Sequence, residues 1–221
     1  MIFKLSDRLA FPDPRNGEDD GLLAIGGDLS VGRLLLAYSY GIFPWYSFRE
    51  GLIEWWCPMD RFVIFPKKIH VSHSMRTLLN KRRYTVTFDK AFKNVIHNCG
   101  QLRIEQEGAW LGPEMEEAYT RLHDQGFAKS VEVWETKDEH GTPVEPHLVG
   151  GLYGVTIGNC FIGESMFSLV PSASKIALIY LANLMDQLGG VMIDCQFETS
   201  HLKSMGGEHI TYEEYMKYMK M

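Results

Sequence analysis

Cysteine is scarce and scattered in this chain. Cys57, Cys99, Cys160 and Cys195 stand far apart, with no CxxC pair and no histidine at ligand spacing. That pattern argues against both a disulfide framework and a zinc site, so four reduced thiols and no metal are expected. Long apolar runs are missing too: none reaches the roughly 18 residues that a membrane helix needs. Met1-Ile-Phe-Lys-Leu-Ser-Asp also lacks the charged start and apolar core of a signal peptide. A cytoplasmic protein without a membrane partner is the expectation. No internal repeat or low-complexity stretch occurs, which excludes solenoids and disordered tracts. What is present, 45% hydrophobic and 23% charged residues in 221, suits an ordinary globular chain holding one large domain or a small one beside a typical one.

Positive charge is short overall, at a net −6, which by itself argues against a nucleic-acid partner. Its distribution says otherwise. Between Arg61 and Lys93 stand nine basic residues, Arg61, Lys67, Lys68, Arg76, Lys81, Arg82, Arg83, Lys90 and Lys93, against the single acid Asp89. This segment carries +8 and the rest of the chain −14. Because salt screens charges beyond about 8 Å, a local basic face can hold phosphates on an acidic protein. From charge alone, a solvated basic surface explains the run equally well.

Turn residues and aromatics dominate the first 65 positions. Gly21 to Gly27 reads as a glycine-bounded loop, and Ser30 caps a helix over 31–40 that Gly41 ends. Trp45, Trp55 and Trp56 fall on expected loops. A strand over 61–65 ends at Pro66, and a boundary is expected there, giving a small N-terminal domain (1–66) and a larger one (67–221). Beyond it, Ser72 or Ser74 caps a short helix, 84–88 alternates as a strand, and a helix covers 90–99. The segment 101–112, with Trp110, reads as an irregular loop. Pro113 opens a helix whose Met115, Ala118, Tyr119 and Leu122 make one buried stripe. A hairpin over 129–155 follows, and Thr211 to Glu214 form a capping box for the last helix. Helices and strands in this order predict an α+β or mixed-sheet α/β fold, not a doubly wound one.

The residues from Val149 to Gln196 organise the rest. Their order is strand, strand, helix (173–188), strand, with turns at Gly158-Asn159, Pro171 to Ser174 and Gly189-Gly190. Glu164, Asp194 and Gln196 interrupt strands otherwise apolar enough to be buried, where an unpaired polar group is costly. As i and i+2 of one strand, Asp194 and Gln196 are expected on a common face about 7 Å apart, with Cys195 opposite as a buried thiol. Glu164, Met166 and Ser168 share a face likewise. Gly150, Gly151 and Gly154 leave room for close approach of a backbone or ligand. From the carboxylates alone, satisfied core polar groups remain the simpler explanation.

At these residues the chain resembles a known family. Gly21-Leu-Leu-Ala-Ile-Gly-Gly-Asp-Leu-Ser30, Gly41-Ile-Phe-Pro-Trp45, Trp56-Cys-Pro58, Gly163-Glu-Ser-Met-Phe-Ser168, Ala173-Ser-Lys175 and Ile193-Asp-Cys-Gln196 are together similar to the leucyl/phenylalanyl-tRNA–protein transferases. That resemblance implies transfer of Leu or Phe from aminoacyl-tRNA to proteins with N-terminal Arg or Lys, creating an N-degron. It also implies an acetyltransferase-like (GNAT) C-terminal domain and neither metal nor cofactor. Carried onto matching positions, Asp194 and Gln196 assist proton removal from the amine and Glu164 positions substrates. Trp45 and Trp110 hold the terminal adenosine and aminoacyl group. Leu152, Leu181, Met185 and Ile193 line the side-chain pocket beside Met166 and Ser168. Leu181 stands where some members carry Phe, and Ala109 where Thr is common.

Elementary chemistry agrees with those roles. An aminoacyl ester is already activated, and an α-amine with a pKa of about 8 is partly neutral at pH 7, so positioning outweighs base strength. No covalent Ser165 or Cys195 intermediate is required. The turn from Pro171 to Lys175 lacks the glycines with which acetyltransferases hold a pyrophosphate, which argues against coenzyme A. Arg76, Lys81, Arg82 and Arg83 are expected to grip the tRNA through phosphates. A coenzyme A-dependent N-acyltransferase and a non-catalytic tRNA-binding module are the alternatives. A monomer is expected, and Asp194→Ala is expected to abolish transfer without unfolding the chain.

Overall fold

The computed structural model describes residues 2–46, 52–107 and 112–220. Its first part contains β1 (Phe3–Leu5), β2 (Leu22–Gly26), α1 (Val31–Ser39), β3 (Phe43–Tyr46) and β4 (Ile53–Trp56). These strands form a four-stranded sheet in the order β1-β2-β4-β3. Gly21 to Gly27 and the tryptophans at 45, 55 and 56, expected on loops, therefore lie largely on strands. The strands are three to five residues long, too short for period-2 alternation to announce them. Cross-strand hydrogen bonds define them instead.

The second part runs β5 (Asp60–Ile64), α2 (His73–Asn80), β6 (Tyr84–Phe88), α3 (Phe92–Glu107), α4 (Pro113–Asp124), β7 (Ala128–Lys137), β8 (Pro143–Ile157), β9 (Cys160–Ser168), α5 (Ala173–Leu188), β10 (Met192–Asp194), α6 (Ser200–Ser204), β11 (Glu208–Thr211) and α7 (Tyr212–Met219). Its strands make one sheet in the order β11-β5-β10-β9-β8-β7-β6. Neighbours are antiparallel except β9 and β10. A parallel pair needs a crossover, and α5 supplies it. The fold is thus mixed α/β, as expected. The change of sheet falls between Trp56 and Asp60, ahead of the expected boundary at Pro66, because β5 pairs with β10 and β11. Two further differences are local. The helix expected to end at Cys99 continues to Glu107 across much of the expected loop, and β11 was not foreseen because its pairing with β5 spans the whole domain.

Helix signals in the sequence match the caps observed. Ser30 accepts from the Arg33 amide at 3.3 Å and starts α1; Ser72 does the same for α2 through the Met75 amide; Thr211 and Glu214 form the reciprocal capping box of α7. Met115, Ala118, Tyr119 and Leu122 are all fully buried, so the stripe on α4 is the face that meets the sheet.

Apolar packing covers both faces of the large sheet. One layer joins α5, α2 and Leu202 of α6 to Phe62, Ile64, Val131, Val133 and Ile193. The opposite layer joins α3, α4, α1 and α7 to Val63, Tyr153, Val155 and Ile162, and continues into Trp55 and Leu23 of the small sheet. The two sheets therefore share a core. Glycines make the fit possible: a Cβ on Gly150 would lie 2.4 Å from the Cβ of Ala173, and one on Gly154 would lie 2.2 Å from the Ile162 carbonyl oxygen. The close approach anticipated at these glycines is made by the protein itself, by α5 and by β9.

Candidate active site

The parallel pairing of β9 and β10 covers only three positions and stops at Ile162 opposite Asp194. Beyond that point β9 continues beside β8 to Ser168. The other chain turns away: the Cys195 amide donates to the Phe62 carbonyl at 2.9 Å, and the Phe62 amide to the Gln196 carbonyl at 3.2 Å. Two strands that part company leave a gap in the sheet, and here it is a cleft of about 610 Å³. Apolar side chains form its floor, among them Leu152, Phe161, Met166, Leu178, Leu181 and Ile193. Glu164, Ser165, Gln196 and His201 supply polar groups, and Trp45 and Phe197 stand at the edge, 38% and 36% exposed.

Glu164 occupies a bulge. Tyr153 faces Ser165 and Gly154 faces Gly163 across the β8–β9 ladder, so Glu164 has no cross-strand partner; a bulge of this kind re-aims a side chain. Its carboxyl group accepts from Tyr38 Oη at 2.7 Å and from Tyr119 Oη at 2.6 Å, and the two hydroxyls lie 2.5 Å apart. Tyr38 comes from α1 and Tyr119 from α4, so the small and large parts of the molecule meet on this carboxyl. Burial, against the opposing pull of the two tyrosines, raises the Glu164 pKa to about 7. The tyrosines, buried and beside a carboxylate, are pushed well above their ordinary value.

Asp194 is fully buried and saturated. It accepts from Arg61 Nε at 2.9 Å and Nη2 at 2.7 Å, from Tyr215 Oη at 3.0 Å and from the Gln196 amide at 2.9 Å. Burial works against the Arg61 charge, but Asp194 more than restores it, so the guanidinium stays protonated. Every lone-pair direction of Asp194 is thus used within the protein. It holds the Gln196 turn and has no free oxygen for an amine.

Gln196 departs from the sequence expectation. It lies past the end of β10 with φ at +60°, a left-handed conformation that costs a residue with a side chain about 1–2 kcal/mol. With Gln196 in this state and Asp194 still in β10, the two do not share a strand face, and the pair meets through the Gln196 backbone amide. Strained residues held by their surroundings concentrate at working sites. Cys195 has its thiol pKa pushed up by burial and by Asp194, which makes it a poor nucleophile.

These features, a cleft between diverging strands with an apolar floor, a carboxyl at a bulge and an exposed tryptophan, are accompanied by sequence relatives. Residues 63–220 match the model of the leucyl/phenylalanyl-tRNA protein transferase family, and residues 27–59 match that family's N-terminal domain. The chain belongs to this family. The family's name describes an aminoacyl-tRNA donor and a protein acceptor. The transferase of Syntrophus aciditrophicus is 49% identical over 97% of this chain and 86% of its own, and that of Flavobacterium johnsoniae is 46% identical over 99% of both. Among solved structures, FemX superposes with a TM-score of 0.50 over 74% of this chain and 64% of that one, at 10% identity, a likeness of fold alone.

The structure brings Glu164, Asp194, Gln196, Trp45, Leu152, Met166, Leu181 and Ile193 to one cleft. Two expected pocket residues are elsewhere. Ser168 accepts from the Ser174 amide at 2.8 Å and caps the first turn of α5, while the Met185 carbonyl accepts from Gly190 and its side chain packs against that glycine at the far end of the helix. Trp110 lies outside the described residues. Of the expected tRNA grip, Arg76, Lys81 and Arg82 are exposed and Arg83 pairs with Glu135. Arg61, counted in the basic run, is inside the protein, and α2 and α3 sit on opposite faces of the sheet, so the nine cations do not form one surface. Sequence reasoning missed Tyr38, Tyr119 and His201. Tyr119 was visible as a stripe residue, but nothing in a helical stripe says where a hydroxyl points. His201, on short α6, has its Nε2 buried with no partner among the described residues, and burial and Lys175 lower its pKa.

Proposed function

We propose that this protein moves leucine or phenylalanine from aminoacyl-tRNA to the α-amine of proteins that begin with arginine or lysine, marking them for degradation, and that it works as a cytoplasmic monomer. The observation carrying this reading is the family match over nearly the whole chain together with the cleft it surrounds. Leu152, Met166, Leu181 and Ile193 offer an apolar slot in which a leucine or phenylalanine side chain gains about 1.5–3 kcal/mol on burial. Trp45 offers a ring face to the terminal adenosine, and base stacking on an aromatic is worth about 1–3 kcal/mol. Asp194 holds the Gln196 turn so that the Gln196 side chain can receive the incoming amine, and Glu164 lies across the gap. Arg76, Lys81 and Arg82 grip the acceptor stem through phosphates. The large sheet, with one parallel pair that splays, is read as acetyltransferase-like.

Among the described residues, no helix is long and apolar enough to cross a membrane. The direct experiment supplies tRNAs charged with labelled leucine, phenylalanine and methionine, together with peptides starting with Arg, Lys or Ser. Transfer of Leu or Phe onto the Arg and Lys peptides is expected. Modification from acyl-coenzyme A would overturn the reading in favour of the coenzyme A-dependent acyltransferase, and absence of transfer from every charged tRNA would overturn it in favour of the non-catalytic tRNA-binding module.

A further inference from the structure

The three contacts among Tyr38, Tyr119 and Glu164 impose a count of hydrogens. Tyr38 Oη and Tyr119 Oη are 2.5 Å apart, and each also lies within 2.7 Å of a different Glu164 oxygen. Each oxygen pair at such a distance needs a hydrogen between its members, since two bare oxygens so close repel. Two phenols carry only two hydrogens. With Glu164 ionised, one of the three contacts has none; with Glu164 protonated, all three are filled in a closed ring.

We propose that Glu164, closed into this ring by Tyr38 and Tyr119, takes the proton of the incoming α-ammonium during transfer. This rests on the aminoacyl-transfer reading above, and it assigns proton removal to Glu164 in place of Asp194. An N–H bond of the ammonium breaks, its electron pair stays on nitrogen, and an Oε–H bond forms on Glu164; the Tyr38 hydroxyl hydrogen turns to Tyr119 Oη and the new Oε–H takes its place toward Tyr38, so that all three contacts are filled. The neutral nitrogen attacks the ester carbonyl carbon, and the bond from that carbon to the ribose oxygen breaks. The second ammonium proton, present once nitrogen has four bonds, passes to the leaving ribose oxygen. Glu164 then returns its proton to water.

Geometry favours this residue. Its bulge re-aims it and the cleft is open to it, whereas the oxygens of Asp194 are fully engaged. Charged and titratable neighbours on every packed element are Tyr38 from α1, Tyr119 from α4, Tyr153 of β8 beside Tyr119, and Asp194 of β10 with its partners Arg61 of β5 and Tyr215 of α7. The Asp194–Arg61 pair is internally neutral, so burial dominates and brings the carboxyl to about 7, near the α-amine at about 8. A proton passes between such groups at little cost, as general-base catalysis requires. Tyr38 and Tyr119 are positioning residues.

Single-turnover transfer to an Arg-starting peptide, followed from about pH 6.5 to about pH 9, tests the assignment. Glu164→Gln keeps an acceptor and supplies the missing hydrogen from its amide, so the ring and fold survive, but it takes no proton. Its rate should be down on the order of 100-fold near about pH 7.5, where Glu164 is largely ionised and the amine still largely protonated, and should regain most of the loss near pH 9, where an amine of pKa about 8 is already neutral. A defect of the same size at every pH overturns the base role. Infrared spectra of the unaltered protein give a second readout: a carboxylic acid C=O band, absent in Glu164→Gln, should bleach as pH rises through about 7 and shift in both Tyr38→Phe and Tyr119→Phe. A band missing at pH 6, or indifferent to both tyrosines, overturns the ring. If the protein proves to transfer nothing, the functional reading falls while the infrared titration still reports on the ring.

Discussion

Asp194 shows how burial changes the meaning of a residue. Its charge faces Arg61 in a site where neither is exposed, and removing one member of such a pair strands the other at a cost of about 3–5 kcal/mol. Asp194→Ala is therefore expected to lower stability by that amount in urea unfolding, contrary to the expectation that it leaves folding intact. A change below about 1 kcal/mol would show that Arg61 finds another partner. Tyr215→Phe removes one hydrogen bond to the same carboxylate and should cost less, about 1.5–3 kcal/mol. Glu164 carries a different signature. Its folded pKa, about 7, lies above the unfolded value of 4.5, so the folded protein binds more protons across that interval. Its stabilising contribution is complete below about pH 4.5 and is lost as pH rises through about 7. Glu164→Gln should remove that fall from the stability profile, as pH-dependent thermal unfolding can report; identical profiles for the two proteins would contradict the raised pKa.

At the scale of elements, the cleft depends on how α5 seats on the sheet over β7, β8 and β9. Ala173 fills the space above Gly150, and Ser168 caps the helix start while Ser172 adopts φ of +70°. Ser168→Ala should cost about 1 kcal/mol, as loss of a helix cap does, with Leu or Phe transfer little changed because Ser168 does not line the cleft; a KM raised without any stability loss would restore it to the substrate pocket. Gly154→Ala meets a backbone carbonyl of β9 and should cost about 1–3 kcal/mol through overpacking, measurable as a lowered melting temperature. Helices and their caps were readable because their signals are local: a serine, a three-residue spacing, a stripe. The short strands β1 to β4 and β11 were not, because a strand of a few residues exists by virtue of its neighbour.

At the scale of the whole molecule, charge and chain path decide what the basic segment can do. With Arg61 buried and Arg83 paired with Glu135, Arg76, Lys81 and Arg82 are the exposed members of the expected tRNA grip. Reversing these three should weaken tRNA binding at any sequence and reduce the slope of log affinity against log salt by about 2–3. An unchanged slope in filter binding across a salt series would remove this surface from the contact.

Several features were settled by the sequence itself: the mixed α/β class, the strand–strand–helix–strand order over 149–196, the caps at Ser30 and Thr211, the buried stripe on α4, and the family, through motifs spread along the chain. All rest on spacing between near neighbours or on sequence motifs several residues long. Tertiary structure alone decided that Gln196 leaves the strand in a left-handed turn, that Asp194 is spent on Arg61 and Tyr215, and that Tyr38 and Tyr119, 81 positions apart, share a hydrogen-bonded ring with Glu164. Periodicity says which way a side chain leaves its own strand or helix. It cannot say which distant side chain waits there, and the chemistry of a buried carboxyl is set by that partner.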